Sequence, residues 1–350
     1  MQIQQSIDSA LALYRKLERT CDRRIPQFGR WAAARSVTRS TESQKGYDMM
    51  KAVGSIAVVC SMLLAACQTL EHRAAGLPSV KQMSVNDTNL TYLDQGQGVP
   101  AVFVHGAVSD HRIWEAQREV VSKHYRFIAI DQRYFGVAPW SDAGTNYSPA
   151  IHVADLAEFI RQLNAGPVHL VGRSYGATIS LIMAIKHPEL VRSLVLNEPP
   201  LTSIVDDPEQ QKVLSEQRKG LASFTEAEKA GNAVEATRLL LDWANNQPGG
   251  FDQLPSAVKS MHLDNARTVL LNAPPLDNPV TCAQLRQLKV PVTLTRGEMT
   301  RPFFIVFAET ANRCIPGSRL IIIANARHGS PNQNPAAFND ALLSFLARNQ

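Results

Sequence analysis

Val168-His169-Leu170-Val171-Gly172-Arg173-Ser174-Tyr175-Gly176 is the stretch that decides the architecture of this 350-residue chain. Its first four residues form a compact, largely apolar run of strand type. Residues 174–187 carry helical spacing and stop before Pro188, whose ring cannot continue a helix. A strand that turns sharply into a helix forces the residue at the bend into a strained backbone conformation. Glycines two positions to either side remove the Cβ atoms that would collide with the neighbouring strand and helix. Ser174 is then presented above a sheet edge at a helix N-terminus, where unpaired N–H groups favour a developing anion.

Outward from this turn, short apolar segments recur at 80–85, 90–93, 101–104, 125–130, 194–196, 290–295 and 319–323. Helical stretches at 113–122, 151–163 and 335–348 alternate with them. That rhythm predicts an α/β fold: a mostly parallel central sheet with helices on both faces. Residues 201–285 break it, being polar and helix-prone at 215–230 and 233–244, with no strand. An insertion of this kind predicts a helical cap over the carboxyl edge of the sheet, where ligands bind. The core is then 80–200 together with 286–350.

A serine hydroxyl needs an adjacent base, because almost no alkoxide exists at neutral pH. His328, in Asn325-Ala326-Arg327-His328-Gly329-Ser330, follows the 319–323 strand on the loop before the terminal helix, at the same sheet edge. His152 and His187 stand at helix ends and His262 lies in the cap, while His105 competes for a place in the site. Its position beside Gly106 suggests that it shapes a turn.

The order of strand, His105-Gly106, Gly-Arg-Ser-Tyr-Gly, helical insertion and late histidine resembles the α/β-hydrolase superfamily over about residues 85–348. The resemblance implies that the backbone N–H groups of Tyr175 and Ala107 form an oxyanion hole. Asp131-Gln132-Arg133-Tyr134-Phe135-Gly136 partly matches a family motif and reads as structural. The resemblance also implies an acid in a Gly-x-x-Asp loop after the seventh strand. Here that segment is Gly297-Glu298-Met299-Thr300, and the Thr300 hydroxyl cannot supply the charge that stabilises an imidazolium. Two carboxylates are candidates for the role. Glu198, in Leu196-Asn197-Glu198-Pro199-Pro200, occupies a site that some family members use; Glu298 is two residues before the Thr300 position. Glu198 is preferred because it directly ends a strand and a double proline stiffens its loop.

The implied chemistry is acyl transfer, with Ser174 as nucleophile, His328 as base and Glu198 as orienting acid. The expected substrate is a small-molecule carboxylic ester with a small or medium apolar acyl group. Serine rather than aspartate at the bend argues against haloalkane dehalogenases and epoxide hydrolases. Carbon–carbon bond hydrolysis, lactone opening and perhydrolysis would use the same site. Outside enzymes, the alternative is a lipid-anchored binding protein that kept the fold without the chemistry. Trp243 and Met261 read as core residues or pocket walls. No CxxC or HExxH spacing occurs, so no metal is expected; the implied acyl-transfer chemistry calls for no cofactor.

Hydrophobic residues at 45% and charged residues at 19% exclude a disordered or collagen-like chain. The net charge of +5 resides in the first 66 residues, which hold ten Lys and Arg against five Asp and Glu. The rest is neutral overall, so composition gives no case for a nucleic-acid partner.

Lys51 precedes an uncharged, mostly apolar run at 52–66. As a helix it would reach about 22 Å, short of a ~30 Å hydrocarbon core. A basic start, a short apolar stretch and small residues make a secretory signal. The run ends in Leu64-Ala65-Ala66-Cys67, which resembles the bacterial lipobox. That resemblance implies an acylated Cys67 and an exported protein held at a membrane, periplasmic or outer-membrane in a Gram-negative cell. Residues 1–48 then read as an upstream extension, 49–66 as the signal and 67–79 as a linker. Cys282 and Cys314 either pair in an oxidising compartment or stand as separate buried thiols.

Overall fold

The computed structural model describes residues 79–140, 142–271 and 280–350. The expectations for the extension, the signal and lipidation at Cys67 lie outside the described residues. Eight strands form one sheet: β1 (Ser79–Val85), β2 (Thr88–Gln95), β3 (Pro100–Val104), β4 (Arg126–Ile130), β5 (Val168–Arg173), β6 (Val191–Asn197), β7 (Val292–Gly297) and β8 (Arg319–Ile323). Their spatial order is β1-β2-β4-β3-β5-β6-β7-β8. β1 and β2 run antiparallel to their neighbours; the remaining pairs are parallel. The chain steps one way from β3 to β4 and then the other way to β5, so β3 and β5 flank the point where strand order reverses. The carboxyl ends of strands at such a point open into a crevice.

Alternation along each strand builds two cores. Val102 and Val104 of β3 and Ile128 and Ile130 of β4 face one side. There they meet Leu156 and Ile160 of α2 (Pro149–Leu163), Ile179 and Met183 of α3 (Tyr175–Lys186), and Phe307 of a helix spanning Pro302–Cys314. Ala101, Phe103, Phe127 and Ala129 face the other side, against Val121 of α1 (Glu115–Val121) and Phe338 and Leu342 of a helix over Pro335–Ala347. The period of two in a strand makes this division unavoidable once both faces are covered. The α/β architecture read from the sequence is the one observed.

The cap region carries α4 (Pro208–Lys219), α5 (Ala222–Lys229), α6 (Ala233–Ala244), α7 (Ser256–Asp264) and α8 (Cys282–Leu285). Two segments differ from expectation. The single helix expected at 215–230 is two helices. Asp207 caps the first through Gln210 N with Pro208 at its start, and Gly220 follows its last turn. The strand expected at 290–295 begins two residues later, past Pro291, which has no N–H to give a ladder. The helix α9 (Pro302–Cys314) has no counterpart among the expected elements, although 303, 304, 307, 308, 311 and 314 form an apolar stripe at helical spacing. It is followed in the chain by α10 (Ser330–Gln333) and α11 (Pro335–Ala347). Cys282 of α8 and Cys314 of α9 form a disulfide with their Cα atoms 5.2 Å apart. No described helix is long and apolar enough to cross a membrane.

Candidate active site

Ser174 occupies the bend between β5 and α3 with φ 51° and ψ −121°, a left-handed φ that costs a non-glycine residue energy and marks a constrained site. Its neighbours enforce the bend. A Cβ on Gly172 would stand 2.6 Å from Ala177 Cα, and one on Gly176 would fall on the carbonyl oxygens of Val104 and His105. Backbone bonds complete the constraint, with Ser174 N donating to Asn197 O at 2.7 Å and Ser174 O accepting from Ala177 and Thr178.

Glu198 directly follows β6, with its side chain wholly buried and its backbone at φ 46°. Its Oε2 accepts from His328 Nδ1 at 2.6 Å and from Thr300 Oγ1 at 2.9 Å, and its Oε1 accepts from Gly297 N at 2.8 Å. Both oxygens are thus engaged. With Nδ1–H given to the carboxylate, the neutral His328 ring keeps Nε2 as its acceptor. The other ring face is fixed by Phe304 of α9, stacked at 3.9 Å between centroids and 16° between planes. Thr300, in the loop after β7, donates a hydrogen bond to the Glu198 carboxylate in place of supplying one. Glu298 faces solvent and accepts from Asn325 N at 2.9 Å, bracing the β8 loop well apart from the imidazole's partner set.

The loops after β5, β6 and β8 meet through Asn197. Its carbonyl holds Ser174 N, and its Nδ2 donates to Ser330 Oγ at 2.8 Å, two residues beyond His328. No hydrogen bond joins Ser174 Oγ to His328 in this structure; such bonds commonly tighten only when substrate arrives. The N–H groups of Tyr175 and Ala107 donate to no other described group. For Tyr175 this follows from its place at the first position of α3, where N–H groups have no intrahelical acceptor. Gly106 lets the Ala107 turn approach the serine: a Cβ there would lie 3.1 Å from Ser174 Cβ.

His105 has a structural task. Its Nε2 accepts from Gln132 N at 3.0 Å and its Nδ1 faces Gly106 O at 2.8 Å, and burial holds it neutral by lowering its pKa. His152 is pushed down to about 3 by burial, and its Nδ1 meets Tyr175 Oη at 2.7 Å. Asp131, in the partial motif, accepts from His111 N and Nδ1, both at 2.7 Å, as befits a structural residue.

A cavity of about 620 Å³ is lined by Arg173 and Gly329, the sequence neighbours of Ser174 and His328, though not by Ser174 or His328 themselves. Trp114, Phe251, Leu254 and Met261 give it apolar sides. Trp243 is packed instead against Phe303 and Phe304.

A family profile described as alpha/beta hydrolase fold matches residues 100–330. The chain belongs to the α/β-hydrolase family. This α/β hydrolase is 24% identical over 273 residues to 2-(acetamidomethylene)succinate hydrolase of Mesorhizobium japonicum, covering 76% of the chain and 94% of that protein. A shorter stretch of 113 residues is 40% identical to 2-hydroxy-6-oxo-2,4-heptadienoate hydrolase of Pseudomonas putida, 31% of this chain and 40% of that one. Among solved structures, a thermophilic esterase from Thermogutta terrifontis superposes with a TM-score of 0.59 at 21% identity, covering 77% of this chain and 98% of the other. Membership makes the chain a hydrolase. Phe304 and Arg173 are the residues that sequence reasoning passed over; the apolar stripe of α9 and the charge inside the Gly-x-Ser-x-Gly motif were the signals available.

Proposed function

We propose that this α/β hydrolase is a serine hydrolase that cleaves carboxylic esters of small or medium apolar acyl groups through an acyl-enzyme on Ser174. The observation that carries the reading is the buried pairing of Glu198 with His328 at 2.6 Å, at the sheet edge where the strained Ser174 sits. Ser174 Oγ attacks the ester carbonyl while His328 Nε2 takes its proton. Glu198 holds the tautomer and balances the imidazolium that forms. The N–H groups of Tyr175 and Ala107 receive the oxyanion, each such donor contributing about 3–4 kcal/mol to the transition state. His328 returns the proton to the departing alcohol, and water then clears the acyl group by the same route. The apolar cavity walls suit a hydrocarbon acyl chain.

Treating the full chain with a fluorophosphonate should attach one label at Ser174 and abolish turnover of short-chain 4-nitrophenyl esters. A folded protein that stays unlabelled and inactive on such esters overturns the reading. The stretch shared with the heptadienoate hydrolase favours carbon–carbon bond cleavage as a second reading; a vinylogous 1,5-diketone acid in the same panel tests it.

We also propose that the protein is an exported lipoprotein held at a membrane by an acyl group on Cys67. The Cys282–Cys314 disulfide supports this, since such bonds persist in oxidising compartments. Metabolic labelling with palmitate that survives in the wild type and disappears in Cys67→Ser is the expected result.

A further inference from the structure

Arg173 ends β5, is only 8% exposed and lines the cavity. Its Nη1 donates to Asn332 Oδ1 at 3.3 Å, and among the described residues it has no ion pair. Glu198 acts on it through space, but both Glu198 oxygens are occupied by Gly297, Thr300 and His328. A guanidinium carries five donors, and burying one without an anion is costly. Among the described residues Nε and Nη2 have no protein acceptor, and Arg173 borders the cavity.

The other basic groups around the cavity are balanced. Arg112 pairs with Asp110 and Asp264, Arg118 with Glu115, and His111 with Asp131. His262 donates from Nδ1 to Val108 O at 2.7 Å and is held neutral by burial, at about 4. Arg173 is itself lowered to about 10 by burial, which leaves it protonated at neutral pH.

We propose that Arg173 receives a carboxylate of the substrate, so that the preferred esters are half-esters carrying an anionic carboxylate on a short carbon chain beside the scissile carbonyl. The inference rests on the serine-hydrolase reading and narrows its substrate class, replacing a wholly apolar acyl group by a short hydrocarbon chain that ends in a carboxylate. The planar fork of a guanidinium matches a carboxylate, and Trp114, Phe251 and Met261 line the same cavity as Arg173 and offer apolar surface to a short carbon chain.

The test compares 4-nitrophenyl hydrogen glutarate with its methyl-capped ester, 4-nitrophenyl methyl glutarate, on the full chain. Wild type should favour the free acid in kcat/KM by about tenfold or more, the order expected of charge-assisted hydrogen bonds. Arg173→Gln should bring the ratio to about one, and Arg173→Lys should retain part of it; the ratio cancels any general loss of activity. In parallel, calorimetry on Ser174→Ala should detect glutarate binding that dimethyl glutarate does not reproduce. A wild-type ratio near one, with both esters turned over and no glutarate bound, overturns the carboxylate inference and leaves the serine hydrolase standing. Failure of both esters with Ser174 unlabelled, but with glutarate bound, overturns the ester reading and leaves the anion site. Should Arg173→Gln fail to fold, the wild-type ratio and the binding measurement still decide.

Discussion

His328 Nδ1 and Glu198 Oε2 lie 2.6 Å apart, and that oxygen is shared with the Thr300 hydroxyl at 2.9 Å. The carboxylate that meets the imidazole therefore comes from just after β6, while Thr300 in the loop after β7 contributes only a neutral donor. Glu198→Gln should reduce kcat by about 10³–10⁴, the scale on which loss of the orienting carboxylate is felt. Glu298→Gln should change it less than about threefold, because that side chain serves only Asn325 N. Steady-state kinetics on one ester decides; the reverse pattern would move the acid to Glu298.

The ring stack offers a second handle. Phe304→Leu keeps an apolar filler but removes the flat surface beneath His328. We expect stability to fall by about 1–2 kcal/mol and kcat to fall more than KM rises, since the imidazole loses orientation rather than the substrate its pocket. Equal effects on both parameters would contradict this.

Gly176→Ala should be far more disruptive than an alanine at an open glycine. Its Cβ would press on the backbone carbonyls of Val104 and His105, neither of which can swing away. Loss of about 3 kcal/mol or more is expected from such overpacking. Gly231→Ala, with nothing within 4 Å and only a positive φ of 69° to accommodate, should lose about 1–2 kcal/mol. Chemical denaturation of the two variants measures the contrast.

Acid should destabilise the fold through buried neutral histidines. Burial lowers His152 to about 3 and His169 to about 4. Unfolded chains would take up protons near pH 6.5, so each histidine's contribution is complete above that pH. It is lost as pH falls toward the folded values. Each contributes on the order of 3 kcal/mol across the window. His169→Asn should flatten the slope of stability against pH between about 6.5 and 4; an unchanged slope would exclude His169 as a source.

The Cys282–Cys314 bridge closes a loop over a sequence separation of 32, for which chain entropy gives about 3–4 kcal/mol. Reduction, or Cys282→Ala with Cys314→Ala, should lower the unfolding free energy by about 2–4 kcal/mol. Peptide mapping without reductant should recover the two segments joined; separate peptides would refute the pairing.

The α/β architecture, the strand-to-helix bend and the two histidine-bearing loops were legible in the chain because each rests on local pattern. Apolar runs, helical spacing and glycines around a serine are properties of neighbours in sequence. The acid was only half legible. Two glutamates sat at strand ends, and their local surroundings could not separate them, because the difference is one of direction. Glu198 is turned inward by a left-handed backbone onto Thr300 and His328, whereas Glu298 is turned outward to Asn325.

By itself, then, the sequence determined the fold class, the bend that presents Ser174 and the loop that carries His328, since short-range sterics and hydrophobic periodicity dictate them. Only the tertiary structure decided which carboxylate meets the imidazole, that Phe304 lies beneath it, that Cys282 reaches Cys314, and that Arg173 is buried without a counter-charge. Those contacts join residues 24 to 159 positions apart, and packing of the sheet and its covering helices sets their geometry.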